Sequence, residues 1–371
     1  MSESKVLLEL VQQQLDRFCD DRVVDFSQIS DDLTLIPKFT KGLLAGGKRF
    51  RALFCYWAWV AALDTADHRL TSEERSQATE AMVQICAALE MFHAAALVHD
   101  DLLDQSDTRR GEPAIHKRFE ELHRQSGFAG DPVRFGQAGS VLVGDMMLSW
   151  SSELFGQALL HSPSEEIESA CREEFSKMRI EVMAGQYLDV LEENAAPIRN
   201  VDEAVGRANR VILYKTAKYS IEAPLLIGAA FAGASPATLR ALSAFGIPLG
   251  MAFQLRDDIL GVFGDSSVTG KPTGDDLREG KRTVLVALTR QALLPTVGKV
   301  FDEMLTSRSL TNEQVTFLQQ TIKGCGALEK TEQMIEELAN ESLAALDMLN
   351  INMVAKQMLR ELAMKVINRS A

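Results

Sequence analysis

The chain has 371 residues, 39 Lys and Arg against 52 Asp and Glu, a formal net charge of −13 and 46% hydrophobic residues. That length and apolar content suffice for a sizeable core, and the acidic balance argues against nucleic acid, whose binding needs a basic face. With no basic amino-terminal signal segment and no apolar run expected to cross a bilayer, the protein is read as soluble and cytoplasmic.

Nearly every segment has helical rather than alternating periodicity and no strand-turn-strand pair stands out, which predicts about a dozen helices in one all-α domain over 1–371. Helix starts are expected at Thr71 with Glu74, Asn200 with Glu203 and Thr311 with Gln314, and where Pro follows Ser at Ser162-Pro163 and Ser235-Pro236. Five cysteines, Cys19, Cys55, Cys86, Cys171 and Cys325, lack paired spacing and read as reduced core residues rather than a disulfide framework or zinc ribbon.

In chain order, the first informative stretch is Leu44-Ala-Gly-Gly-Lys-Arg-Phe-Arg51. Gly46 and Gly47 free the backbone to approach a ligand, and Lys48 and Arg51, three apart at the opening of a helix, are expected on one face. A helix amino terminus with two cations suits a diphosphate.

Leu89 to Gly111, LEMFHAAALVHDDLLDQSDTRRG, opens as an almost uncharged apolar helix and then carries Asp100, Asp101, Asp104, Asp107, Arg109 and Arg110. Asp100 and Asp104, four apart, share a helical face and repel unless a positive ion sits between them. Hard carboxylate oxygens completed by water and substrate phosphate describe Mg²⁺ at a phosphate-handling site. His93 lies two turns before Asp100, and His93 and His99 lack the four-residue spacing of a helical zinc pair.

One acidic cluster in an acidic protein also fits a solvated helix end. A second apolar helix, Phe253-Gln-Leu-Arg-Asp-Asp-Ile-Leu-Gly261, again ends in paired aspartates and leads into a loop with Lys271-Pro-Thr-Gly274 and Asp275-Asp-Leu-Arg-Glu-Gly-Lys281. The repetition makes coincidence a poor explanation. Between the two lie polar residues embedded in helix, Met183-Ala-Gly-Gln-Tyr-Leu-Asp189 and Tyr214-Lys215-Thr216.

Taken together, GGKRFR at Gly46 to Arg51, DDLLD with RRG at Asp100 to Gly111, GQYLD at Gly185 to Asp189, Lys215-Thr216, and FQLRDDILG with GKPTGDD and GK at Phe253 to Lys281 resemble the trans-isoprenyl diphosphate synthases, the polyprenyl synthetase family. The likeness covers roughly residues 40 to 290 and is closest to geranylgeranyl diphosphate synthases. It implies an antiparallel helical bundle around a deep central cavity, a homodimer, and Mg²⁺-dependent condensation of isopentenyl diphosphate with an allylic prenyl diphosphate. The resemblance assigns the metal to Asp100, Asp104 and Asp257. Arg109, Lys215 and Lys281 become fixed positive partners of the allylic diphosphate, and Lys271 closes over it. Lys48, Arg51, His93 and Arg110 grip isopentenyl diphosphate, while Thr216, Gln254 and the Lys215 carbonyl face the allylic cation. Many members carry a third aspartate where this chain has Gly261; Asp265 is the nearest alternative.

Product length follows from helix geometry and the resemblance together. A chain growing from a diphosphate held at Asp100 and Asp104 runs back along its helix past Ala96 and Ala95, where an aromatic residue in the family tends to stop growth at fifteen carbons. Small residues there imply twenty carbons or more, with Phe92 the next candidate obstacle. Longer polyprenyl and farnesyl diphosphate synthases are the nearest alternatives. A class I terpene cyclase expects an Asn/Ser/Glu metal triad that Arg256 to Gly264 lacks, and a regulatory subunit should have lost aspartates that both clusters keep.

Overall fold

The computed structural model describes residues 3–63, 71–264, 273–307 and 310–368. Their contacts fall into two compact units, Met1–Trp59 with Ala66–Ser169 and Val60–Thr65 with Ala170–Ala371. Both are built almost wholly of helices.

The first unit holds α1 (Glu3–Ser27), α2 (Leu35–Leu44), most of α3 (Phe50–Leu63), α4 (Ser72–Leu103), α5 (Ile115–Gln125) and α6 (Pro132–Leu159). Thr71 and Glu74 form a reciprocal capping box at the start of α4, satisfying amide groups that have no partner within the helix. Asp131 and Pro132 start α6 in the same spirit. Small residues on α6 let it lie close against its neighbours: Ser151 Oγ donates to the Ala88 carbonyl at 2.8 Å, and a Cβ on Gly144 would come within 2.6 Å of His99 Cδ2. Phe54, Trp57, Met82, Ile85, Leu89, Met91, Phe92 and Met147 are among the largest fully buried side chains, each contributing roughly 1.5–3 kcal/mol by leaving water.

α4 also corrects an expectation from sequence. It has the length and composition to cross a membrane, yet most of its apolar stretch is buried within the protein. Its apolar run therefore serves as a core helix packed by protein on nearly every side. A second correction is a short antiparallel pair, Thr108–Arg109 (β1) with Glu112–Pro113 (β2). Two-residue strands are too brief to leave a periodic signature.

The second unit contains α7 (Glu165–Ala195) from Ala170 onward. It continues with α8 (Ala204–Val211), an eleven-residue π-helical stretch Ile212–Glu222, α9 (Ala223–Phe231), α10 (Pro236–Phe263), α11 (Asp275–Glu279), α12 (Val284–Ala292), α13 (Pro295–Thr306), α14 (Asn312–Gly324), α15 (Ala327–Met348) and α16 (Met353–Ile367). α10 is its axis, packed against α15 and the π-helical stretch. Gly250 permits the latter contact, since a Cβ there would lie 2.8 Å from Ala217 Cβ. Ser235 caps α10 with Pro236 in its first turn, and Thr311 with Gln314 forms the expected box at α14. Two starts differ from expectation. Ser164 Oγ, rather than Ser162-Pro163, accepts from the first turn of α7, and Asn200 caps a short 3-10 turn without a box to Glu203.

Candidate active site

In the first unit, the loop between α2 and α3 runs through left-handed backbone at Gly46, Gly47 and Arg49, with φ of 74°, 92° and 47°. That path sends successive cations in opposite directions. Arg49 turns inward, donating to the Leu44 carbonyl at 2.6 Å and to Gln12, with its guanidinium 3.7 Å from Glu90. Glu90 also accepts from the Ala52 amide at 3.3 Å, so a carboxylate from α4 caps the first turn of α3. Lys48 is left exposed and Arg51 half-buried. Because α3 begins only at Phe50, Lys48 precedes the helix, and the expected shared helical face is not how these two cations are related.

The β1–β2 hairpin docks on this loop. Arg110, itself at φ 55°, has Nη1 3.4 Å from the Leu43 and Ala45 carbonyls. A Cβ on Gly47 would come within 3.0 Å of Arg110 Nη2, so the approach needs glycine. The hairpin is tied down by the Ala114 amide donating to the Asp107 carbonyl at 2.9 Å and by Lys117, 3.3 Å from the Asp107 carboxylate. Burial first, then the charges of Arg51, Arg110, Arg109 and Arg49, hold His93 well below the ordinary imidazole value. The imidazole is thus neutral, and the cations assigned to isopentenyl diphosphate other than exposed Lys48 act on it electrostatically.

At the end of α4 the adjacent aspartates diverge. Asp101 is buried and accepts from Arg109 Nε at 2.8 Å, while Asp100 lies 3.4 Å from the same guanidinium. Burial opposes the Arg109 charge, but the Asp101 bond and the nearby Asp100 and Asp104 outweigh it and raise its pKa. The Asp104 amide donates to the Asp100 carbonyl at 2.8 Å, which continues the helical path and keeps Asp100 and Asp104 one turn apart. Both are half-buried, as are His93, Ala96 and Leu97 behind them, so this strip of α4 is accessible. Ala95 and Phe92 face the packed interior at 0% and 1% exposure. Of the three residues assigned to product length, only Ala96 lies on the strip, and Leu97 joins it.

In the second unit, Lys215 Nζ lies 2.6 Å from Asp189 Oδ2. Gly185 makes this register possible, since a Cβ there would be 2.8 Å from Lys215 Cα. Thr216 Oγ1 donates to Gln254 Oε1 at 2.7 Å, and Gln254 Nε2 donates to Asp258 Oδ1 at 2.8 Å. Burial first, opposed by the Gln254 bond and reinforced by Asp276 and Asp257, pushes Asp258 well above the ordinary carboxyl range. Burial thus favours the protonated, hydrogen-bonded form of Asp258, and half-buried Asp257 is the accessible member of the pair. Lys281 Nζ lies 2.7 Å from Glu279 and 3.7 Å from Asp276. Lys271 and Asp265 lie outside the described residues.

The donor chemistry fits a hard divalent cation: Asp100 and Asp104 offer carboxylate oxygens one helical turn apart in the first unit, and Asp257 offers its own on α10 in the second. Among the described residues no three His, Cys, Asp or Glu side chains gather as a metal cage. A cation there would take one or two carboxylates and complete its shell with water and phosphate, the habit of Mg²⁺. Sequence reasoning passed over Arg49 and Glu90, and quoted Asp189 within GQYLD without giving it a role. Glu90 had left a signal, since a carboxylate within an apolar helical run is costly unless paired.

The sequence pattern of the family described as Polyprenyl synthetase matches residues 34–322. Among relatives, the geranylgeranyl diphosphate synthase of Sulfolobus acidocaldarius is 33% identical over 298 residues, 80% of this chain and 79% of that protein. The geranylfarnesyl diphosphate synthase of Aeropyrum pernix is 32% identical over 267 residues, 72% and 73% of the respective chains. Among solved structures, geranylgeranyl pyrophosphate synthase from Corynebacterium glutamicum, complexed with isoprenyl diphosphate and magnesium, matches at a TM-score of 0.89 and 38% identity over 98% of both chains. With cation-ringed His93 behind one carboxylate-tipped helix, a Lys215–Asp189 pair beside another, and a family match over most of its length, the chain belongs to the polyprenyl synthetase family and is a trans-prenyltransferase.

Proposed function

We propose that this trans-prenyltransferase condenses isopentenyl diphosphate with allylic prenyl diphosphates, in a Mg²⁺-dependent reaction within one catalytic domain, to all-trans geranylgeranyl diphosphate. The observation that carries the product length is the α4 strip behind Asp100, whose next residues are Ala96 and Leu97, with no Phe, Tyr or Trp among them. Phe92, about 12 Å back at 1.5 Å per residue, is turned into the packed interior and does not lie on this strip. The similarity to geranylgeranyl diphosphate synthases supports this length.

In this reading Asp100 and Asp104, and on α10 Asp257, hold the metal. When bound, Mg²⁺ neutralises charge on the departing diphosphate. Arg109, Lys215 and Lys281 add fixed positive charge for the same group, with Lys271 closing over it. Lys48, Arg51, His93 and Arg110 hold isopentenyl diphosphate so that its double bond is oriented towards the allylic carbon. As the allylic carbon–oxygen bond breaks, that double bond supplies the electrons of the new carbon–carbon bond, and a proton passes to the released diphosphate. Thr216, Gln254 and the Lys215 carbonyl face the positive charge while apolar walls exclude water.

We also propose a cytoplasmic homodimer. Exposed Ile180, Met183 and Tyr187, three and four residues apart along one face of α7, support the dimer, because a contiguous apolar face of this kind is commonly covered by a partner. The decisive experiment incubates purified protein with Mg²⁺, excess isopentenyl diphosphate and each allylic primer, then chromatographs the products. Geranylgeranyl diphosphate is expected as end point, and Ala96→Phe should shorten it. Farnesyl or geranylfarnesyl diphosphate as the wild-type end point would overturn the C20 assignment, and turnover unaffected by excess chelator would overturn the metal dependence.

A further inference from the structure

A side-chain amide can serve a positive charge by only one of its two ends. The Gln254 carbonyl oxygen is the negative end and its NH₂ the positive one, so an amide turned the wrong way would oppose the cation it faces. The residues around Gln254 fix that choice. On one side Thr216 Oγ1, on the π-helical stretch, donates to Gln254 Oε1 at 2.7 Å. On the other, one turn further along α10, Asp258 Oδ1 accepts from Gln254 Nε2 at 2.8 Å. Thr216 alone would not settle the direction, because a hydroxyl both donates and accepts and satisfies either end of an amide. The acceptor at Asp258 settles it. Asp258 is only 4% exposed, and its second oxygen, Oδ2, has no hydrogen-bond partner among the described residues, so the link to Gln254 is the polar contact its side chain makes there. A buried carboxyl with one oxygen unsatisfied is costly, which gives its place a functional rather than a structural reason.

We propose that Asp258 is a positioning residue for prenyl transfer: by accepting from the Gln254 amide nitrogen it holds the Gln254 carbonyl oxygen, with Thr216, towards the developing allylic cation. The second lone pair of that oxygen remains for the positive charge. Asp257 and Asp258 then do different work although adjacent, the first towards the metal-bound diphosphate and the second through Gln254. The proposal rests on the reading that Thr216 and Gln254 face the cation.

The test compares wild type, Asp258→Asn, Asp258→Leu, Gln254→Leu and the double variant Gln254→Leu/Asp258→Leu. It measures kcat, the KM of each substrate and, by calorimetry, affinity for Mn²⁺ with inorganic pyrophosphate. Unliganded thermal unfolding checks the fold. Asp258→Leu, which removes the acceptor, is expected to lower kcat by about tenfold to a hundredfold, with both KM values and the metal–pyrophosphate affinity near wild type, the pattern of an interaction made only in the transition state. Asp258→Asn keeps an acceptor oxygen at that place and should retain kcat within about threefold of wild type. The double variant should be no slower than Gln254→Leu, because Asp258 has nothing left to orient. Wild-type kcat in Asp258→Leu, Asp258→Asn as slow as Asp258→Leu, a further loss in the double variant, or weakened metal–pyrophosphate binding in Asp258→Leu each overturns the proposal. Asp258→Ala takes the place of Asp258→Leu if the latter fails to fold, and Asp258→Asn decides alone if both do. Wild-type kcat in Gln254→Leu would instead overturn the underlying reading.

Discussion

The ends of α4 and α10 carry the same dipeptide, Asp100-Asp101 and Asp257-Asp258, and in each the second aspartate is buried and turned from the first. The protein handles that buried acid in opposite ways. Asp101 keeps its charge and pairs with Arg109, whereas Asp258 holds its proton and hydrogen-bonds to Gln254. A buried carboxyl must be paired or neutralised; an arginine is within reach at the first end and an amide at the second. A repeated motif therefore does not imply repeated electrostatics. In both places the half-buried Asp100 and Asp257 are left as the accessible carboxyl groups.

The sharpest break of the comparison removes those outer groups. Asp100→Ala and Asp257→Ala should each lower turnover by about a thousandfold or more, because charge stabilisation of the leaving diphosphate is lost, with circular dichroism unchanged. Wild-type turnover in either variant would remove that cluster from the chemistry.

The inner aspartates separate the two ends by stability. Asp101→Asn takes from the part-buried Arg109 its buried carboxylate partner, with Asp100 remaining at 3.4 Å, and should cost about 3 kcal/mol, the lower end of the cost of breaking a buried pair. Asp258→Asn replaces a neutral acid by a near-isosteric amide and should cost less than about 1 kcal/mol. Denaturant titration of both variants reads the difference directly, and equal losses would refute the opposite charge states.

The smallest effect is a pH dependence confined to α10. Because the folded Asp258 pKa lies above its unfolded value of 3.8, the folded state binds the extra proton. Its stabilising contribution is therefore complete below that unfolded value and fades as pH rises through the folded one. The melting temperature of Asp258→Asn relative to wild type should accordingly rise as pH increases above about 4. A constant difference would place the proton elsewhere.

The sequence alone determined the helical class, from the period of its apolar residues, and the two carboxylate-tipped helices. A four-residue spacing fixes the relation of Asp100 to Asp104 through local geometry, whatever the rest of the chain does. It also fixed several helix starts, because a cap is satisfied within three residues: Thr71 with Glu74 is legible in the letters and present in the fold. The tertiary structure decided what depends on residues distant in sequence. Arg49 and Arg51 look alike as letters, yet Glu90 and Gln12 draw Arg49 inward and leave Arg51 half-buried. Ala95 and Ala96 are identical neighbours, yet only packing around α4 turns one into the core and the other onto the accessible strip. Periodicity and caps report short-range geometry, whereas the charge and role of a side chain are set by partners that meet only when the chain folds.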